Sequence, residues 1–442
     1  MKIQLSDSFT YKKLLKFTFP SIIMMIFTSI YGVVDGIFVS NFAGKTPFAA
    51  INLIMPVFLI IGAIGFMIGT GGSALVARYL GEGQKERANK TFSMLVSVSL
   101  IFSLVISILG AFFIKPIAHM LGARGQMLSD CVLYGSILLP SMFAFILQNE
   151  FQSFFIVAEK PQFAMWVTLS AGFTNIVLDA LFVGFFKWGL MGAAIATAIS
   201  QLVGGIIPLF YFIFAKESPL HLTKATVNFK DLLKACTNGS SEMMTNISMS
   251  IVTMLYNFQL MNVAGEDGVA AYGVIMYVGF VFVSAFIGFC VGSAPIISFH
   301  YGATNHSELK RLRKMSTNII IIVSVFMTFI SLLLARTLSG IFVGYDKELF
   351  DITVRGFSIY CFSYLLVGFN IFGSSFFTAL NDGLVSAIIS FLRTLLFQVI
   401  SILVLPVFFG VDGIWFAVIL AEAMSLLVVL AFFEKKKSKY NY

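Results

Sequence analysis

The sequence predicts an all-α integral membrane protein. Twelve transmembrane helices form two six-helix repeats, related by a pseudo-two-fold axis along the membrane normal. Three observations predict it. Hydrophobic residues make up 58% of the 442 and charged residues only 11%, where soluble chains carry about 25% charge. Apolar runs of about 20 residues, enough to span a bilayer as helix, recur along the whole chain. And the chain matches itself at a constant shift. Only helices or closed barrels satisfy their backbone in lipid, and these runs are too long and uniform for barrel strands.

The expected spans run 15–39, 50–78, 92–114, 131–157, 163–185, 190–214, 237–262, 270–298, 317–340, 355–379, 384–408 and 413–433. The Lys-bearing amphipathic stretch 5–19 leads directly into the first span, so no cleavable signal is expected. An even count puts both termini on one side. Of the 29 Lys and Arg, 21 fall on that side, seven on the other, and Arg393 lies within a span. The positive-inside rule makes the lysine-rich side cytoplasmic. The net charge of +8 is thus a topology signal, and no nucleic-acid partner is expected. The four cysteines are scattered in or beside apolar runs and predict no disulfide framework. The four histidines do not cluster, so no metal centre is expected beyond Na⁺.

A shift of 221 carries Gly71 onto Gly292, Gly81 onto Gly302, Lys90 onto Arg311, Gly135 onto Gly356 and Ala158 onto Ala379. After a three-residue insertion, Gly189 falls on Gly413 and Ala193 on Ala417. The expected lobes are 1–214 and 236–442, joined by a cytoplasmic linker, 215–235. Two similarly oriented lobes with a cavity between them near the midplane are a transporter architecture. The shift also shows where the lobes differ. Asp35 falls on Tyr256 and Asp179 on Ile400, so both carboxylates are additions to one lobe.

Charges within the membrane are costly and tend to be functional. Asp35, Asp179 and Thr197 each lie about 10 Å below the outer surface at 1.5 Å per residue. Asn175, one turn before Asp179, shares its helix face. Two carboxylates, an amide oxygen and a hydroxyl are the hard donors that H⁺ or Na⁺ coupling needs. The bland alternative is a pair of unrelated helix-end acids facing water. Arg393 and Glu422 sit at matching depth on neighbouring antiparallel spans and read as a structural ion pair, ahead of a transport role. Glu242 is placed near the inner end of the seventh span, facing cytoplasmic water. Glu150 and Gln152, in a polar run, together with Tyr256 and Asn257, are candidate substrate-cavity residues. Pro20 is either a hinge or the start of its span.

The segment TGGSALVARYLGEGQKERA (70–88), its echo VGSAPIISFHYGATNHSEL (291–309), NIVLD (175–179) with Thr197, and the Asp35-bearing first helix resemble the multidrug and toxic compound extrusion (MATE) family over nearly the whole chain. The resemblance implies a secondary multidrug exporter of cationic amphipathic compounds, in antiport with H⁺ or Na⁺ and needing no other cofactor. It implies Asp35, Asn175, Asp179 and Thr197 as coupling residues and Pro20 as a bending point. The expected setting is a bacterial cell membrane, with the chain a monomer among membrane lipid. One branch carries an acid within the seventh helix, where this chain has Tyr256 and Asn257. The runner-up is a flippase for lipid-linked precursors, which would need a basic cavity. A membrane enzyme or a channel fits poorly, for want of a catalytic constellation or a filter-like loop.

Overall fold

The computed structural model describes residues 3–38, 45–215 and 218–442, with side chains at 33, 35–38, 45 and 48 outside that description. The first three crossings are α1 (Tyr11–Phe38), α2 (Lys45–Gly81) and α3 (Lys85–Met120). The fourth is α4 (Gly125–Leu138) continued by α5 (Met142–Val157). The fifth is α6 (Pro161–Asp179), which ends in a π turn at Ala180–Phe185, and the sixth is α7 (Gly189–Phe214). The second half follows the same course in α8 (Phe229–Gly302), α9 (His306–Val343), α10 (Lys347–Tyr360), α11 (Tyr364–Ala379), α12 (Gly383–Phe391) and α13 (Phe397–Tyr440).

α8 is 74 residues long, about 110 Å of helix against a hydrocarbon core of about 30 Å. It is two crossings, broken at Gly265 (φ 64°, ψ −154°). The stretch Gly383–Tyr440 breaks in the same way at Gly410 (φ 58°, ψ −134°). That region of backbone space is close to glycine-only, so the two residues are what turn the chain back. Counting both breaks gives the twelve expected crossings. They differ from expectation mainly at their ends, where polar turns extend the helices beyond the apolar runs. The seventh crossing begins at Phe229, capped by the Asn228 side chain, and not at 237.

The repeat reappears in backbone detail. A 3₁₀ turn interrupts the fourth crossing at Leu139–Ser141 and the tenth at Cys361–Ser363. Pro140 accounts for the first break; its shifted counterpart is Cys361, so the break belongs to the fold and not to proline. The lobe seam shows the symmetry directly. A Cβ on Gly81 would strike the Phe299 carbonyl, and one on Gly302 would strike the Arg78 carbonyl. The shift that carries Gly81 to Gly302 also carries Arg78 to Phe299. Likewise a Cβ on Gly71 would strike the backbone of Gly239, and one on Gly292 would come within 3.1 Å of Thr18. Small residues here let helix backbones touch, which is how helices associate without a hydrophobic driving force. The seam runs from the lysine-rich ends to Ser29 and Ser284, whose hydroxyls are 3.5 Å apart. Farther out, Gly32 and Gly273 face open space. Gly71→Val should therefore destabilise the closed seam by about 1–3 kcal/mol, the cost of overpacking. A thermal melt of the purified protein reads this, and an unchanged melting point would contradict it.

At the lysine-rich end each lobe's leading helix is pinned to the other lobe. Asp231, buried near the start of α8, accepts hydrogen bonds from Tyr79 Oη (2.7 Å) and Arg87 Nη2 (3.0 Å) of the first lobe. In the reciprocal position, Phe9 N donates to Glu308 Oε1 of the second lobe at 2.7 Å. Arg87 and Glu308 are equivalent under the shift. The arms cross with opposite polarity, carboxylate to guanidinium on one side and amide to carboxylate on the other. Nearby, burial works against the charge of Asp382, but hydrogen bonds from Tyr440 and Lys436, with the further positive charge of Lys439, hold its carboxyl below the usual range. Its stabilising contribution is therefore complete at neutral pH and is lost only as acid carries the pH below that range.

Candidate functional site

Two polar centres lie inside the membrane-spanning part, one per lobe. In the first, α6 packs between α1 and α7. Asp179 and Asn175 are buried on α6. Thr197, half-buried on α7, donates to the Ala193 carbonyl at 2.9 Å and keeps its lone pairs available. Asp35 lies on the outer part of α1, and its side chain is outside the described residues. Asn175 Nδ2 finds no acceptor among the described residues. An amide so placed can present its oxygen instead with no bond lost. Asp179 is the last α-helical residue before the π turn.

Pro20 is buried within α1, nine residues after the helix starts at Tyr11.

The second centre is a cavity of about 220 Å³ in the second lobe, with Thr70, Ser73 and Ser153 of the first lobe in its wall. Arg393 and Glu422 line it as an ion pair, with Nε 2.9 Å from Oε1 and 3.0 Å from Oε2. Asn370 Nδ2 donates to Glu422 Oε2 at 2.6 Å and to its carbonyl at 2.8 Å. Arg393 sits in a π turn, Leu392–Leu396. The two described π turns thus each adjoin an intramembrane charge, and π turns recur at functional sites.

Glu242 also lines the cavity, within electrostatic range of Arg393. This corrects the expectation that it faces cytoplasmic water. α8 starts at Phe229, so Glu242 lies about 20 Å along the helix. Above it stand Tyr256, Tyr272 and Tyr360. Tyr256 stacks on Tyr272 with centroids 4.9 Å apart and donates to Gln398 Oε1 at 3.0 Å. Two carboxylates against one arginine, beside tyrosine faces and the flexible Met249 and Met276, suit an organic cation.

Of the four candidate cavity residues, Tyr256 stands in this wall and the other three do not. Asn257 is one step, about 100°, around the helix from Tyr256. Gln152 is buried beside the wall residue Ser153. Glu150 is fully buried between helices, backed by Gly69 of α2, with the Ser99 hydroxyl beside its carboxyl. Tyr272, Tyr360 and Gln398 were not singled out from the sequence; uncharged residues in an apolar run carry no signal that separates cavity from packing.

Among known proteins, the family model described as MatE matches residues 20–181 and again 243–404. Multidrug export protein MepA of Staphylococcus saprophyticus is 24% identical over 430 residues, covering 96% of this chain and 93% of that one. MepA of Staphylococcus aureus is 23% identical over 425 residues, covering 95% and 92%. Among solved structures, an outward-facing multidrug resistance MATE family transporter of the MOP superfamily superposes with a TM-score of 0.93 at 22% identity, covering 98% of this chain and 97% of that one. A MATE protein superposes at 0.93 in its straight conformation and 0.90 in its bent one, both at 22% identity. The straight form covers 98% of both chains, the bent form 99% of this chain and 97% of its own.

Proposed function

The chain belongs to the MatE family, and from that premise we propose that it is a secondary active multidrug efflux transporter. It exports cationic amphipathic compounds in antiport with H⁺ or Na⁺. The observation that carries the reading is the second-lobe cavity, where Glu242 and Glu422 outnumber Arg393 beside three tyrosines. The relatives named multidrug export proteins support the export direction.

In this reading the lobes are 1–214 and 236–442, with 215–235 the linker between them, and both termini are in the cytoplasm of a bacterial cell. The protein works as a monomer. The seam closed at the lysine-rich end is then the outward-open state. H⁺ or Na⁺ enters from outside onto Asp35, Asn175, Asp179 and Thr197. Neutralising these first-lobe carboxylates weakens the negative potential felt by the cationic substrate in the second-lobe cavity, which leaves outward. The lobes then rock, with α1 bending at Pro20, and the ion is released inward.

A flippase for lipid-linked pyrophosphates fits less well. It needs a basic cavity, and Arg393 is already engaged by Glu422. The test is ethidium movement in everted vesicles under an imposed pH gradient and, separately, an imposed Na⁺ gradient. One of the two should drive accumulation severalfold above vesicles lacking the protein. Accumulation under neither gradient rejects the antiport reading.

A further inference from the structure

A cleft of about 640 Å³ opens at the lysine-rich end, away from both polar centres. One wall is the start of α3, with Lys85, Arg87 and Lys90; the other is the linker around Thr226 and Asn228. That second wall is fixed in place. Linker amides donate to α3 side chains: His221 N to Asn89 Oδ1 at 2.8 Å, Thr223 N to Ser93 Oγ at 2.8 Å, and Asn228 N to Met94 Sδ at 3.1 Å.

Three cations line the cleft against the carboxylates Glu86 and Asp231. Arg87 pairs with Asp231 and Lys90 with Glu86, while Lys85 has no ion-pair partner among the described residues. Lys224 and Lys230 flank the cleft in sequence and are exposed. The local balance is positive. The linker at its rim also carries apolar side chains in the open: Val227 is 81% exposed and Phe229 71%. Apolar side chains bared beside lysines at the end of a membrane helix mark contact with acyl chains under anionic headgroups.

We propose that this cleft binds the phosphate headgroup of an anionic phospholipid from the leaflet on the lysine-rich side. Lys85 holds the phosphate, Lys90 turns to it from its solvent-exposed partner Glu86, and Val227 and Phe229 rest on the acyl chains. Arg87 stays with Asp231 and keeps the first crossed arm shut. The bound lipid thereby bridges the linker and α3 across that contact. The shared chemistry with a free phosphate ion is the basic wall; the apolar rim is what selects the lipid.

The test uses the full-length protein purified in detergent, titrated with phosphatidylglycerol or phosphatidylcholine and read by native mass spectrometry. Phosphatidylglycerol should bind at least about tenfold more tightly than phosphatidylcholine, from two lysines near the surface. Lys85→Ala/Lys90→Ala should remove that preference, whereas Lys310→Ala/Lys314→Ala, also basic and on the same side, should keep it. Phe229→Ser should weaken the lipid, and millimolar inorganic phosphate should not displace it. If the alanine pair cannot be purified, Lys85→Gln/Lys90→Gln removes the same charges at nearly the same length. Equal retention in wild type and the lysine variants overturns the site. Displacement by inorganic phosphate overturns the lipid as its occupant.

Discussion

Asp179→Asn is expected to lower gradient-driven ethidium efflux by at least about tenfold while the protein stays assembled. The carboxylate is fully buried on α6, between α1 and α7. A hydrogen bond to a charged group is worth about 1.5–3 kcal/mol there, which is one to two decades in ion affinity. Asn keeps the shape, so packing is retained and the thermal melt should move little. It cannot take up and release a proton, and it offers Na⁺ a dipole in place of a charge. Asp35→Asn should behave alike, since the proposed site needs both acids. The measurement is efflux per molecule, normalised to protein in the membrane. Wild-type coupled transport in both variants would remove the first-lobe centre from the mechanism.

Glu422→Ala carries the second large effect, on stability. It strips Arg393 of its carboxylate inside the membrane-spanning part and leaves Asn370 Nδ2 without a side-chain acceptor. Removing one partner of a buried pair costs about 3–5 kcal/mol, because the remaining charge is stranded. Replacing both, Arg393→Met with Glu422→Leu, should recover most of that loss in the same melt. The double variant also separates two roles. If it melts like wild type and still transports, the pair is structural. If it melts like wild type and no longer exports ethidium, the pair handles substrate. A single Glu422→Ala variant as stable as wild type would mean that the pair is not buried in the working protein.

Much of this architecture is written in the sequence, because lipid forces a plain code. Apolar length gives the crossings, and the 221-residue shift gives the pairing later found in the Gly81–Phe299 and Gly302–Arg78 contacts. What stayed hidden has physical reasons. Glu242 was misplaced because hydropathy sees where an apolar run ends and misses the polar turns beyond it; the Asn228 cap lies eight or more residues outside that run. The π turns at Ala180–Phe185 and Leu392–Leu396 leave no periodic trace over so few residues. Glu150 illustrates another limit. A polar run predicts that something is satisfied nearby, but helix rotation decides whether it meets a cavity or a neighbouring backbone, and here Gly69 brings α2 up against it.

The crossed arms have a consequence for how the chain is made. Phe9 and Glu308 are 299 positions apart, so the first helix is threaded into the bilayer long before its anchor exists. Until α9 is synthesised, Leu5 N can already reach Glu159 Oε1 of the first lobe, but Phe9 N has no acceptor from the second. Asp231, by contrast, meets Tyr79 and Arg87 as soon as it leaves the ribosome, since both are already in place. The two crossed contacts therefore become possible in order, Asp231 with Tyr79 and Arg87 first and Phe9 with Glu308 last. A nascent chain stalled before residue 308 should leave the backbone around Phe9 more open to protease than it is in the full-length chain.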